Sequence, residues 1–147
     1  MWRTLPGAGV LAVRDNLILM VLHFRGGKYR WELPSGYVNP HESMEEAAIR
    51  ETLEETSVSV SIGALLCTVV MDVPREKYRG INTYFCATWV GDETPFGDEK
   101  DGEAIIKAAY IDLTLVSFSD IHPVDRKILR HWLKSKNKQP FYFRMVF

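Results

Sequence analysis

Glu51, Glu54 and Glu55 crowd a single turn near the end of a polar segment that begins at Gly36 and closes at Val58. In a helix, residues three and four apart become surface neighbours. At about 100° per residue, from ~3.6 residues per turn, the three carboxylates span an arc of roughly 100°. Like charges held this close repel, weaken the helix and raise one another's carboxyl pKa. A hard divalent cation removes the conflict. Magnesium or manganese suits carboxylate, carbonyl and water ligands, and magnesium keeps waters and substrate phosphates in its shell. The spacing therefore predicts a helix carrying a Mg2+ or Mn2+ site, with chemistry on phosphates.

On the same helical wheel Ile49, Leu53 and Thr56 lie nearly opposite Glu51, the pattern of an amphipathic helix whose glutamates face solvent. Met44, Ala47 and Ala48 share the glutamate side, however, so that face looks partly inward as well. Helix geometry alone leaves both orientations open.

The wider segment settles more. Gly36, Glu42, Arg50, Glu51, Glu54, Glu55 and Val58 stand at the spacing Gly-x5-Glu-x7-Arg-Glu-x2-Glu-Glu, any residue, Gly, apolar. This resembles the Nudix box of the Nudix hydrolase family, over residues 36 to 58, or 23 of 147. The entry Trp31-Glu-Leu-Pro-Ser-Gly36 is similar to the Trp-x-Leu-Pro-Gly-Gly that precedes the box in that family. Three positions depart from the pattern. Thr52 fills an apolar slot, where its methyl can still pack. Ser35 and Ser57 replace glycines, and at Ser57 a left-handed backbone would favour Gly by roughly 1 kcal/mol. None of these changes removes a charged group.

The resemblance implies an α/β fold, the Nudix α/β/α sandwich with a mixed central sheet. It assigns metal binding to Glu51, Glu54, Glu55 and the Gly36 carbonyl, with Arg50 holding the cluster and Glu42 pairing with it. It implies hydrolysis of a diphosphate bond in a nucleoside diphosphate linked to another group, a nucleotide sugar of the ADP-ribose kind or a (deoxy)nucleoside triphosphate, by water attack at phosphorus. Glu54 is the expected base, with Glu103 the alternative among the acidic connector residues Asp98, Glu99, Asp101 and Glu103. Pro74, sixteen residues beyond Val58, resembles a proline of some ADP-ribose-cleaving members. Competing readings are a non-catalytic nucleotide sensor, from which box glutamates are usually lost, and a pyrophosphohydrolase of RNA 5' ends.

Substrate choice must come from outside the box. Phe24, Arg25, Lys28, Tyr29 and Arg30 offer a stacking surface and phosphate contacts, with Arg25, Tyr29 and Arg30 the expected binding residues. Arg75, Lys77, Tyr78 and Arg79 read as a second basic and aromatic loop.

Length and composition frame these expectations. At 147 residues and 46% hydrophobic content, the chain is long enough for one domain, residues 1–147, with a real core. A net charge of −1 supplies no basic field for nucleic acid, so the expected partner is a small nucleotide. The start lacks a long apolar stretch with a cleavage site, and Leu17 to Phe24 is too short to cross a bilayer, so a cytoplasmic, membrane-free protein is expected. Cys67 and Cys86 have no neighbouring Cys or His at metal spacing and read as free thiols.

Turn signals divide the rest of the chain. Ala8 to Arg14 and Leu17 to Phe24 flank Asp15-Asn16 as a hairpin. Ser43 and Glu46 form a capping box at the start of the glutamate helix. Ser59 to Val73, Ile81 to Val90 and Ala104 to Leu113 read as strands, residues 91–103 as a loop, and Val124 to Lys136 as a helix with Ile128, Leu129, Trp132 and Leu133 facing the core. The apolar tail Phe141 to Phe147 is expected to pack as an edge strand on its own domain, with a crossing into a homodimer as the alternative.

Overall fold

The computed structural model describes residues 1–97 and 104–147. Strand β1 (Arg3–Arg14) lies at the centre, and its alternating side chains build both cores. Ala8, Val10 and Ala12 pack with Ala47 and Ala48 of helix α1 (Met44–Thr56), while Leu11 packs with Ile128 and Leu129 of helix α2 (Pro123–Lys134). A period of two on one strand thus sets a helix on each side of the sheet.

Around β1 run β2 (Leu17–Arg25), β3 (Lys28–Glu32), β4 (Ser35–Tyr37), β5 (Val60–Val73), β6 (Tyr78–Trp89), β7 (Ala104–Asp112) and β8 (Phe141–Val146). The main path is β3-β2-β1-β6-β5-β8, with β4 on β1 and β7 on β2. Pairing is mixed: β1 with β6 and β5 with β8 are parallel, the other pairs antiparallel. The expected α/β/α sandwich is the observed architecture.

The hairpin at Asp15-Asn16 is present but short. Only Val13–Ile18 and Arg14–Leu17 pair across it, with Asp15 in the left-handed region at φ 55°. Beyond that point β2 turns to β3 and β7, and β1 turns to β4 and β6. An apolar strand pattern reports burial of the faces and does not name the strands that pair at its edges. Gly9 permits the close pairing with β4, since a Cβ there would lie 2.6 Å from the Pro34 carbonyl oxygen.

Three details differ from sequence expectation. Leu133 is 54% exposed, because α2 turns Val124, Ile128 and Leu129 to the sheet and leaves Leu133 on the far side of that stripe. Residues Tyr78 and Arg79 open β6, and only Pro74–Glu76 between β5 and β6 form a turn, of the 3-10 type. Arg79 does not lie in a free basic loop: its Nε and Nη2 donate to Asp72 at 2.6 and 2.9 Å.

The tail packs on its own chain. β8 runs parallel to β5 from Cys67–Phe141 to Asp72–Val146, and the Phe147 amide donates to the Asp72 carbonyl at 2.8 Å. Arg144 Nε donates to Asp72 Oδ2 at 2.7 Å. The two guanidinium groups hold the Asp72 carboxyl at a pKa of about 2, below its usual range. Both cysteines are free, and burial pushes the Cys67 thiol up to about 12. Among the described residues no helix is long and apolar enough to cross a membrane.

Candidate active site

Helix α1 begins on its capping box. Ser43 Oγ accepts from the Glu46 amide at 3.0 Å, and Glu46 reaches back to the Ser43 amide at 3.3 Å. It ends at Ser57, whose φ of 61° is the left-handed conformation its place predicted. The helix is turned opposite to a simple amphipathic reading. Ala47, Ala48, Thr52, Glu55 and Thr56 are buried, while Ile49 and Leu53 are exposed. Alanines let the helix lie close to β1, and Thr52 satisfies its hydroxyl by donating to the Ala48 carbonyl at 2.7 Å. The glutamate side therefore faces the sheet.

Arg50 organises that side. Its Nε and Nη2 donate to the two oxygens of Glu42 at 2.7 and 2.9 Å, a bidentate pair across eight residues. Nη1 donates to Glu51 at 2.7 Å and to Glu54 at 3.1 Å, and Nη2 also reaches the Tyr37 carbonyl at 2.9 Å. This hydrogen bonding draws the Glu42 carboxyl down to about 2 and raises the guanidinium pKa. One arginine thus fixes three carboxylates in a preset arrangement.

The glycine before the helix completes the cluster through space, not through φ. A Cβ on Gly36 would lie 2.2 Å from the Glu51 carboxyl carbon, so glycine is what lets that carboxylate sit against β4. Glu55 is 4% exposed and accepts from the Ser35 amide at 2.8 Å. Ser35 needs no glycine freedom, because its backbone is ordinary strand. β4 and α1 thereby bring Glu51 against Gly36 and Glu55 against Ser35, while Glu54 is tied to Glu51 through Arg50.

Beside this cluster opens a cleft of about 420 Å³ that reaches from Glu51 and Glu55 to the start of α2. Arg25 lines it and approaches Glu32 at 3.4 Å. Tyr29 and Arg30 are not among its lining residues; the Tyr29 ring instead packs on Phe24 at a centroid distance of 4.7 Å. Asp98, Glu99, Asp101 and Glu103 lie outside the described residues.

The NUDIX domain model matches residues 3–132. The chain belongs to the Nudix family. A putative 8-oxo-dGTP diphosphatase of Bacillus subtilis is 56% identical over 58 residues, 40% of this chain and 38% of that protein. An ADP-ribose pyrophosphatase of Methanocaldococcus jannaschii is 30% identical over 131 residues, 84% of this chain and 70% of that protein. The chain spans less than two thirds of the length of several curated relatives that it matches. Among solved structures, a Nudix hydrolase from Nitrosomonas europaea superposes with a TM-score of 0.77 at 20% identity, covering 100% of this chain and 81% of that one.

The cleft of this Nudix chain is lined by further polar residues that sequence reading did not single out. His23 is 4% exposed and stands between two carboxylates, its Nε2 3.9 Å from Glu55 and its Nδ1 3.7 Å from Glu32. Burial, followed by the charges of Arg25 and His122, lowers its pKa to about 4 and keeps it neutral. At the start of α2, His122 caps the helix by accepting from the Val124 amide at 3.2 Å. Asp125, 3% exposed, accepts from the Leu33 amide at 3.0 Å, and the His122 amide donates to the Trp31 carbonyl at 2.9 Å. The helix start is thus stitched to the Trp-Glu-Leu-Pro strand. Pro123 at the first helical position followed by Asp125 was the available signal.

Proposed function

We propose that residues 1–147 form one Nudix domain that hydrolyses a diphosphate bond in a nucleotide-type small molecule, with Mg2+ or Mn2+ as cofactor. The observation that carries this reading is the Glu51 carboxylate seated against Gly36, with Glu55 bonded to the neighbouring Ser35 amide and Glu54 tied to Glu51 through Arg50. The donor set is all oxygen, which fits a hard cation and not a soft one. Glu51, Glu54, Glu55 and the Gly36 carbonyl would hold it. When bound, the ion supplies neutralisation of the diphosphate charge and a lowered pKa for water.

The remaining work falls to the chain itself. Glu54, 30% exposed and the most open of these carboxylates, accepts the proton of the attacking water. Glu103 is the alternative base. Arg50 positions Glu51 and Glu54 through its two Nη1 contacts and touches no substrate. Arg25, on the cleft wall, contacts a substrate phosphate. The names of the Bacillus and Methanocaldococcus relatives, a putative diphosphatase and a pyrophosphatase, support the reaction class. They differ in substrate, so the names leave the choice between the two kinds to experiment.

A panel of nucleoside triphosphates, nucleotide sugars including ADP-ribose, dinucleotides and triphosphate-ended RNA, each with Mg2+ or Mn2+ and with product identification, tests the proposal. Cleavage of a diphosphate bond that disappears in Glu54→Gln or with a chelator is the expected result. Tight nucleotide binding without product across the panel would instead identify a sensor module.

A further inference from the structure

Among the described residues outside the carboxylate turn of α1, one group of side chains has the composition of a cation site. Glu32 on β3, His122 at the cap of α2 and Asp125 in its first turn bring one ligand atom each within 4.8 Å of one another. Asp125 Oδ1 is taken by the Leu33 amide at 3.0 Å, while Oδ2 faces His122 Nδ1 at 3.5 Å. Two adjacent ligands on a tetrahedral zinc ion, with bonds of ~2.0–2.1 Å, stand about 3.3 Å apart. The Asp125–His122 pair, at 3.5 Å, is close to that spacing, and Glu32 lies within 4.8 Å of both.

An independent observation points into the same place. His23, 4% exposed, has a buried Nδ1 with no hydrogen-bond partner among the described residues, and that nitrogen is aimed at Glu32 Oε2, 3.7 Å away. A buried imidazole nitrogen without a partner forfeits the hydrogen bond it would make in water. Coordination to an ion removes that loss and adds a fourth donor.

We propose that Glu32, His122 and Asp125, with His23 as fourth ligand, bind a zinc-class divalent cation at a site distinct from the carboxylate turn of α1. The two centres differ in donor chemistry. The α1 turn offers oxygen alone, whereas this group offers two imidazoles and two carboxylates, a set that favours Zn2+ or Co2+ over Mg2+. On binding, the ion takes the His122 Nδ1 lone pair that otherwise accepts the Val124 amide at 3.2 Å, and Nε2 keeps the ring proton. The site occupies the end of the cleft next to α2.

The test uses the full chain with the α1 turn disabled by Glu51→Gln and Glu54→Gln, so that no activity is read and the outcome is independent of the diphosphate proposal. Titration with Co2+ alone is expected to give visible absorption of four-coordinate cobalt, saturating at one equivalent, displaced by Zn2+ and unaffected by excess Mg2+. Adding His122→Asn keeps a cap acceptor for α2 and is expected to weaken Co2+ binding about tenfold or more, as is Glu32→Gln, which leaves the cap untouched. Absence of the cobalt spectrum, or equal affinity in both variants with the fold intact by circular dichroism, would overturn the site.

Discussion

Two ionic clusters in this molecule are electrostatic opposites. At α1, the Arg50 guanidinium meets three carboxylates, Glu42, Glu51 and Glu54, a sum of −2 for those four side chains. At the β5–β8 edge, the Asp72 carboxylate meets two guanidinium groups, Arg79 and Arg144, a sum of +1 for those three. The second is a fastening: its carboxylate is 1% exposed, and its partners tie the last strand to the sheet. The first holds like charges near one another beside a cleft, at a cost that a structural cluster has no reason to bear. The difference teaches that an ion pair is read by its balance. One carboxylate enclosed by two cations holds strands, whereas one cation shared among three carboxylates leaves negative charge beside a cleft, the arrangement expected of a site.

Mutation should separate the two. Glu54→Gln lowers the charge of the first cluster and is expected to reduce turnover by ~10²–10⁴-fold while leaving the melting temperature unchanged or higher. Steady-state kinetics beside thermal melts check this, and wild-type turnover in the variant would remove Glu54 as the base. Arg50→Ala leaves three carboxylates facing one another. A loss of about 2–3 kcal/mol is expected without metal, shrinking as Mg2+ is added, which denaturant titration with and without chelator would reveal.

Metal itself sharpens the contrast. At ten times its dissociation constant, Mg2+ should stabilise the wild-type chain by about 1.4 kcal/mol, do the same in Asp72→Asn, and do much less in Glu51→Gln. Acid sharpens it from the other side. Asp72 has its pKa lowered to about 2 from an ordinary 3.8, so the unfolded chain binds its proton first. Its stabilisation is complete above pH 3.8 and is lost as pH falls toward 2. Melts across that window should be less steep in Asp72→Asn. The smallest effect belongs to the helix end, where Ser57→Gly relieves a left-handed serine and should add up to ~1 kcal/mol.

The first cluster was legible in sequence and the second was not. Glu42, Arg50, Glu51 and Glu54 lie within thirteen positions, residues 42 to 54, so helix geometry and a family spacing suffice to bring them together. Asp72 meets Arg144 across 72 positions, through a parallel pairing that local pattern cannot announce. The same limit hid the cleft's far end, since the bond from Leu33 to Asp125 spans 92 positions. The wheel of α1 was legible only in part. Its inward side is made of alanines, threonines and a carboxylate instead of large aliphatics, so hydrophobicity alone points the helix outward. The basic stretch at Arg75 to Arg79 misled for a related reason, because a charged residue opening a strand reads as loop until its cross-strand partner is known.

The bond between the Leu33 amide and Asp125 also bears on the order of assembly. Closing a loop of that length costs entropy before any contact returns it, so such pairings form late in folding. The α1 turn with its arginine is local and belongs to the early structure. The cleft wall at α2 therefore carries a loop-closure cost that the α1 turn does not. A chain whose α2 start came undocked would keep its carboxylate turn but lose the far wall of the cleft.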